Sequence, residues 1–205
     1  MMTVMETLVS HWKSERRARQ SFYDDIEDGV KTEFINGEIT VHSPDRASHV
    51  MTRKHLTKLL DTHVAVHGLG LVGDEKMLIC LTRNDYMPDV VFFGPEKAAT
   101  IHPDQMQFPA PDFIAEVLSP STRRRDRGVK FKDYAAHEVG EYWMLDPAAK
   151  TVEIYHRNAL GEYVLAGKAS GDQEARSTVI KGFKAPARAF FEEAANLTAL
   201  KKLLR

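Results

Sequence analysis

Pro111 to Ser121 reads Pro-Asp-Phe-Ile-Ala-Glu-Val-Leu-Ser-Pro-Ser, an apolar stretch that carries one acid and ends in a turn. Phe113 to Leu118 is a short apolar run of the kind a buried strand makes, interrupted only by Glu116. Period two puts Ile114, Glu116 and Leu118 on one face, so the carboxylate has apolar neighbours on its own strand. Burying it costs several kcal/mol (roughly) unless a cation, a proton or a metal compensates it. A place at a sheet edge or a paired arginine is the simplest compensation, and the rest of the chain offers a more specific one.

Downstream, Ser119 to Thr122 forms a turn, a helix is expected from about Asp126 to His137, and Glu141-Tyr-Trp-Met-Leu-Asp146 is a strand closed by Pro147. Strand, helix and strand in that order imply a right-handed crossover and a parallel pair. Thr151 to His156 and Glu162 to Ala166 extend the sheet by hairpins, and Phe190 to Leu204 reads as an amphipathic closing helix.

Upstream, Pro88-Asp-Val-Val-Phe-Phe-Gly94 is a β-branched and aromatic run headed by Asp89. Residues 95–110 hold three prolines and little periodicity, which predicts a loop with at most one helical turn. Leu71 to Glu75 and Lys76 to Leu81 are strand candidates, with Arg83-Asn-Asp85 as the turn after them. Lys31 to His42 reads as a hairpin about Asn36-Gly37, the preferred two-residue turn. A helix to about His67 follows, capped by Asp45 or Ser48, with Val50, Leu56, Leu59, Leu60 and Val64 as its stripe and Gly68 and Gly70 ending it. Residues 3–28 are helix-prone, with a basic block (Lys13, Arg16, Arg17, Arg19) before an acidic one (Asp24, Asp25, Glu27, Asp28), the pattern of a solvated helix face.

A chain of 205 residues suits one domain with a full core. The expected organisation is an N-terminal helical extension over 1–30, a domain over 31–190, and a C-terminal helix over 191–205 packed on it. No apolar run approaches the roughly 20 residues needed to cross a bilayer. Residues 1–9 carry Glu6 and no long apolar core, so secretory targeting is not expected. One cysteine, Cys80, excludes an internal disulfide and suits a reducing cytoplasm. The formal net charge of -1 means that a nucleic-acid partner would have to meet locally concentrated positive charge.

Three features converge on one end of the sheet: Asp89 heading one strand, Glu116 inside the next, and Lys130 on the helix that strand feeds. Acidic oxygens from adjacent strands suit a hard divalent cation such as Mg²⁺, with Mn²⁺ as a substitute, and a nearby ammonium can steady an anionic transition state. Asp126, Lys130 and Tyr134 recur on one helix face, whereas Lys132 projects from the other side, so Lys130 is the lysine expected at the site. Arg123, Arg124, Arg125 and Arg127 crowd a helix start, where cations oppose the macrodipole. They would gain from nucleic-acid phosphates; a solvated turn with local salt bridges is the alternative.

Together, Glu33-Phe-Ile-Asn-Gly-Glu38, Ser43-Pro44, His49, Pro88-Asp89-Val90, Glu116 to Thr122, Asp126 with Lys130 and Tyr134, and Glu141 to Pro147 resemble the Uma-two family, a restriction-endonuclease-like branch of the PD-(D/E)XK nuclease superfamily. The resemblance spans about Thr32 to Tyr155. It implies an α/β restriction-endonuclease-like core, a central mixed β-sheet flanked by helices, and metal-dependent cleavage of nucleic acid, DNA being the expected substrate. It carries metal binding onto Asp89 and Glu116 and onto the backbone carbonyl of Val117. An upstream glutamate joins in such sites, and Glu38 is the first candidate, Glu33 the second. Leu118 stands where the superfamily motif has lysine, and Lys130 matches a migration of that lysine to the next helix. His49 also matches, as a structural helix histidine. Cutting both strands of a duplex favours a homodimer. Two other classes compete: a nuclease-like module that binds nucleic acid or protein without cutting, and a carboxylate-pair glycosidase, to which 9% aromatic content gives no special support.

Overall fold

The computed structural model describes residues 3–26 and 29–204. Its elements run α1 (Val4–Asp25), β1 (Thr32–Ile35), β2 (Glu38–Val41), α2 (Ala47–His67), β3 (Leu71–Asp74), β4 (Leu78–Cys80), β5 (Asp85–Tyr86), β6 (Val90–Phe93), α3 (Pro95–Ala98), β7 (Gln107–Phe108) and β8 (Phe113–Val117). There follow α4 (Arg123–Asp126), α5 (Val129–Ala136), β9 (Glu141–Asp146), β10 (Thr151–Arg157), β11 (Tyr163–Ser170), β12 (Glu174–Arg176), β13 (Lys184–Pro186), a 3-10 turn at Ala187–Phe190 and α6 (Glu193–Leu203).

The central mixed sheet has the order β11-β10-β9-β8-β6-β3. Its middle strand, β8, pairs antiparallel with β6 and parallel with β9, the latter reached through α4 and α5 as the strand–helix–strand order predicts. All five residues of β8 are buried because both its faces are covered. Phe113, Ala115 and Val117 face a core shared with Leu56, Leu59 and Leu60 of α2 and with Phe190, while Ile114 and Leu118 face Tyr86, Tyr134 and Tyr142. Glu116 belongs to the second face.

That second face is roofed by α5 and by a sheet that periodicity alone does not predict, β2-β1-β5-β4-β7. Its strands are only two to four residues long, too short to show an alternation. The β1–β2 hairpin turns through Asn36 (φ 53°) and Gly37 (φ 87°), the left-handed pair that a two-residue turn demands. Asp85, expected in a turn, lies in β5 and is fully buried. Arg19 and Tyr23 of α1 explain this: Arg19 Nε lies 2.7 Å from Asp85 Oδ2, and the Tyr23 hydroxyl donates to Oδ1 at 2.9 Å. The end of α1 is therefore docked, with Phe22 packed on Phe34, Leu78 and Met87. Only its first half stands as the extension expected for 1–30; Glu27 and Asp28 of the acidic block lie outside the described residues.

Two local expectations are corrected. Helix α2 starts after Arg46 with no side-chain cap, because Asp45 directs its carboxylate to His49 and Arg53, each at 3.3 Å. The helix expected over Asp126 to His137 is broken at Gly128, where an added Cβ would lie 2.7 Å from the Arg124 carbonyl oxygen. The chain can step from α4 to α5 there only without a side chain.

Replacing Asp85 with alanine leaves the Arg19 guanidinium unpaired in a largely buried position. It is expected to cost about 3 kcal/mol in urea denaturation, whereas Glu6→Ala, at the exposed helix start, should barely move the midpoint.

Candidate active site

The elements around β8 deliver their ionisable side chains to a single buried cluster. The hairpin strand β1 brings Glu33 and, two residues before it, Lys31. The residue ahead of β6 is Asp89, opposite Glu116 in the continuation of the Val90–Ala115 pairing. Helix α2 supplies His49, α4 Asp126, and α5 Lys130 and Tyr134. Glu33, Asp89, Glu116, Asp126 and Lys130 are each at most 3% exposed.

The contacts form a continuous network. Lys130 Nζ lies 2.8 Å from Glu33 Oε1, 2.9 Å from Glu116 Oε1 and 3.7 Å from Asp126 Oδ1. The Tyr134 hydroxyl donates to the same Glu116 oxygen at 3.0 Å. The Asp89 N–H donates to Glu116 Oε2 at 3.3 Å, and the Val117 N–H donates to Asp89 Oδ2 at 2.8 Å, so strands β6 and β8 are stitched by the two acids themselves. Asp89 also meets Lys31 Nζ at 2.7 Å and His49 Nε2 at 3.1 Å. Glu33 accepts the Met87 N–H at 3.0 Å and faces His42 Nε2 at 2.9 Å.

These environments set the charges. Burial pushes Glu116 up to about 8, the charges of Asp89 and Asp126 add to it, and Lys130 and Lys31 pull against it. Burial acts the same way on Asp89, but Lys31 and His49 outweigh it and hold the carboxyl well below its usual range. Glu33 is likewise held at about 2, where Lys130 and His42 overcome its burial. Asp126 is raised by burial, and neither of its oxygens has a hydrogen-bond partner among the described residues. Thr122 stands near enough to ease its charge without meeting it in hydrogen-bonding geometry. Both lysines are raised despite their burial, each by its carboxylate partners.

Four buried carboxylates thus face two lysines and two histidines, a cluster of hard oxygen donors in which burial and the neighbouring acids hold Glu116 and Asp126 back from ionising. That chemistry fits a divalent cation of the Mg²⁺ kind, which takes one or two carboxylates and leaves its other positions to water and substrate. Among the described residues no three His, Cys, Asp or Glu side chains form a ready-made cage, so a cation here would be held in that open manner.

A groove of ≈320 Å³ abuts the cluster, lined by His42, Arg46, His49, Ser119, Thr122 and Arg125 among others. His42 and His49 form the wall between groove and carboxylates.

Of the residues expected from sequence, Asp89, Glu116, Val117 and Lys130 come together. Lys132 is exposed, as helical phase requires. Glu38 does not join them: it sits exposed beside the hairpin turn, and Glu33 occupies the upstream position instead. Glu38 lies on an edge strand with apolar side chains open to solvent, whereas β1 is buried on both faces. The arginines divide. Arg123 is bound to Asp146 at 2.6 Å and Arg127 to Glu153 at 2.8 Å, while Arg124 and Arg125 have no carboxylate partner among the described residues, and only Arg125 lines the groove with Arg123. Lys31 is absent from the site residues expected from sequence, although its period-two placement with Glu33 is a signal for it, and His49, read there as structural, sits at Asp89.

Comparison with known proteins follows this geometry. A family model described as "Uma2: Putative restriction endonuclease" matches residues 19–188. The chain belongs to the Uma2 family. Two uncharacterized proteins of Synechocystis sp. are similar to it: sll1609, 31% identical over 62% of this chain and 72% of that protein, and slr1290, 28% identical over 70% of this chain and 75% of that protein. The fold is shared with the crystal structure of "a putative nuclease belonging to DUF820" from Anabaena variabilis, with a TM-score of 0.72 and 16% identity over 88% of this chain and 97% of that one. The Uma2 match takes in every residue of the cluster, and it also includes the docked end of α1.

Glu33 gives this site a pH signature. Its folded pKa is lowered from 4.5 to about 2, so its stabilisation is complete above the unfolded value and is lost as pH falls from about 4.5 through 2. The difference corresponds to about 3 kcal/mol. Glu33→Gln should be less stable than the wild type at pH 7 and should lose correspondingly less between pH 5 and pH 2 in denaturant titrations; parallel acid profiles would contradict the assignment.

Proposed function

We propose that this Uma2 protein is a divalent-metal-dependent endonuclease that hydrolyses phosphodiester bonds of nucleic acid, with DNA as substrate. The observation that carries the proposal is the in-register pair Asp89 and Glu116 on adjacent strands, with Lys130 buried against Glu116. The family's description as a restriction endonuclease supports the choice of DNA.

In this reading Asp89 and Glu116 hold Mg²⁺ or Mn²⁺, with the Val117 carbonyl beside them. The bound cation would supply Lewis-acid activation of the phosphate and a lowered pKa for its water. The chain's own residues do the rest. Glu33 and Asp126 hold the Lys130 ammonium against Glu116, so its charge lies where negative charge develops. Tyr134 fixes the Glu116 carboxyl by donating to Oε1. His49 anchors Asp89 Oδ2 from the groove side. Arg125 and Arg46, in the groove, receive the backbone phosphates, and Arg124 extends that surface outward; Arg123 and Arg127 contribute only if Asp146 and Glu153 release them. Phosphate contacts of this kind position a strand without reading its sequence. Cleavage of both strands would use two copies related by a two-fold axis, since each active site addresses one of two antiparallel strands. The single, unpaired Cys80 suits a reducing cytoplasm.

One observation favours a second reading, a nuclease-like module that binds without cutting: both acids are already engaged by lysines. Nicking of a supercoiled plasmid separates the two. With Mg²⁺ or Mn²⁺ the wild type should nick, and Asp89→Asn, Glu116→Gln and Lys130→Met should each lose about 100-fold or more in rate, with thermal melting confirming that each variant is folded. A folded wild type that nicks nothing in either metal would replace the nuclease with the binding module.

A further inference from the structure

Asp89 and Glu116 do not commit their oxygens evenly. Asp89 Oδ2 accepts the Val117 N–H and faces His49, whereas Oδ1 meets Lys31 Nζ at 2.7 Å and no other donor among the described residues. Glu116 Oε1 takes both Lys130 and Tyr134, while Oε2 takes only the 3.3 Å contact from the Asp89 N–H. The two least committed oxygens are therefore Asp89 Oδ1 and Glu116 Oε2, and the cation seated on the first is Lys31.

The two lysines are not equivalent. The Lys130 side chain is 2% exposed and gripped by three carboxylates; that of Lys31 is 14% exposed and holds a single one. Lys31 is thus the ammonium held by the fewer carboxylates, and its departure uncovers Asp89 alone, which an incoming dication would neutralise. A place for it to go is adjacent. The Lys31 carbonyl accepts the His42 N–H at 3.0 Å, and His42 and His49, the neighbours of Lys31 and Asp89, both line the groove.

We propose that Lys31 is the displaceable counter-cation of this site: it neutralises Asp89 until a divalent cation binds, gives up Oδ1 to that cation, and turns its ammonium to a phosphate oxygen of the nucleic acid in the groove. The proposal rests on the reading that Asp89 and Glu116 hold the metal. A dication and an ammonium cannot share one carboxylate oxygen at 2.7 Å without strong repulsion, so metal binding and the Lys31–Asp89 pair exclude each other. Lys31 becomes a substrate-positioning residue only in the metal-loaded protein, which orders the two binding events.

Calorimetric titration with Mg²⁺ tests the displacement without using activity. Lys31→Met and Lys31→Gln should bind Mg²⁺ about tenfold more tightly than the wild type, since the competing charge is gone, and Lys31→Arg should not. Circular dichroism checks that each variant is folded. Binding of a short DNA duplex in Ca²⁺ tests the second step: the slope of log affinity against log salt should be shallower by about one in Lys31→Met than in the wild type, and the two slopes should agree without the cation. Folded Lys31→Met and Lys31→Gln that bind Mg²⁺ as the wild type does, or more weakly, would overturn the displacement. Equal slopes in Ca²⁺ would overturn the phosphate contact. A wild type that takes up neither Mg²⁺ nor Mn²⁺ would instead remove the metal reading, and this proposal with it.

Discussion

Everything in this structure depends on keeping charge in the middle of a sheet. Glu116 occupies a strand whose neighbours on both sides are apolar, a position where an unpaired carboxylate is strongly unfavourable. The chain meets it with Lys130 from the following helix. Lys130 is then itself buried and needs Glu33 and Asp126, and Glu33 in turn is met by His42. One buried acid thus draws in groups from α5, β1 and α4 and from the residue that follows β2. Buried ion clusters of this kind are weak evidence for stability, because desolvation consumes most of the attraction. Glu141, on the adjacent strand β9, shows the structural alternative. It is fully buried too, and the Trp143 indole at 2.5 Å, the Thr178 N–H and hydroxyl at 2.8 Å and His156 Nε2 at 3.5 Å hold it without a lysine or arginine.

The fold serves that cluster. The six-stranded sheet carries Asp89 and Glu116 on adjacent strands, and α2 and α6 cover its other face with the larger apolar core. The second sheet, clamped by α1 through Arg19 and Asp85, presses β1 against the site and so fixes Lys31 and Glu33. A helix far away in sequence from the acids thereby stabilises the strand that compensates them. The break at Gly128 has a similar effect: it lets Asp126 of α4 meet the Lys130 ammonium of α5 from a separate helical segment.

Much of this was legible in the sequence where the signal is local. The apolar run of β8, the Asn36-Gly37 hairpin and the choice of Lys130 over Lys132 follow from periods of two and 3.6 residues. What was hidden depends on contacts between distant segments. Glu38 ranks ahead of Glu33 in the sequence, and only strand burial separates its edge strand from the enclosed one that carries Glu33. Arg123 and Arg127 looked free until Asp146 and Glu153 came within reach from β9 and β10. The second sheet could not be assembled from its readable strands β1, β2 and β4, because β5 and β7, which complete it, are two residues long and have no period. Asp85 read as a turn residue because its compensating arginine lies 66 positions earlier.

The central claim is that Asp89 and Glu116 form a cation site that Lys31 and Lys130 hold in balance. Anomalous diffraction from crystals soaked in Mn²⁺ tests it most directly. The account predicts one dominant peak bounded by Asp89 and Glu116, with the Lys31 side chain moved off Asp89 and Lys130 still on Glu116. A map with no peak there, or with Mn²⁺ bound elsewhere and the Lys31–Asp89 pair intact, would contradict it.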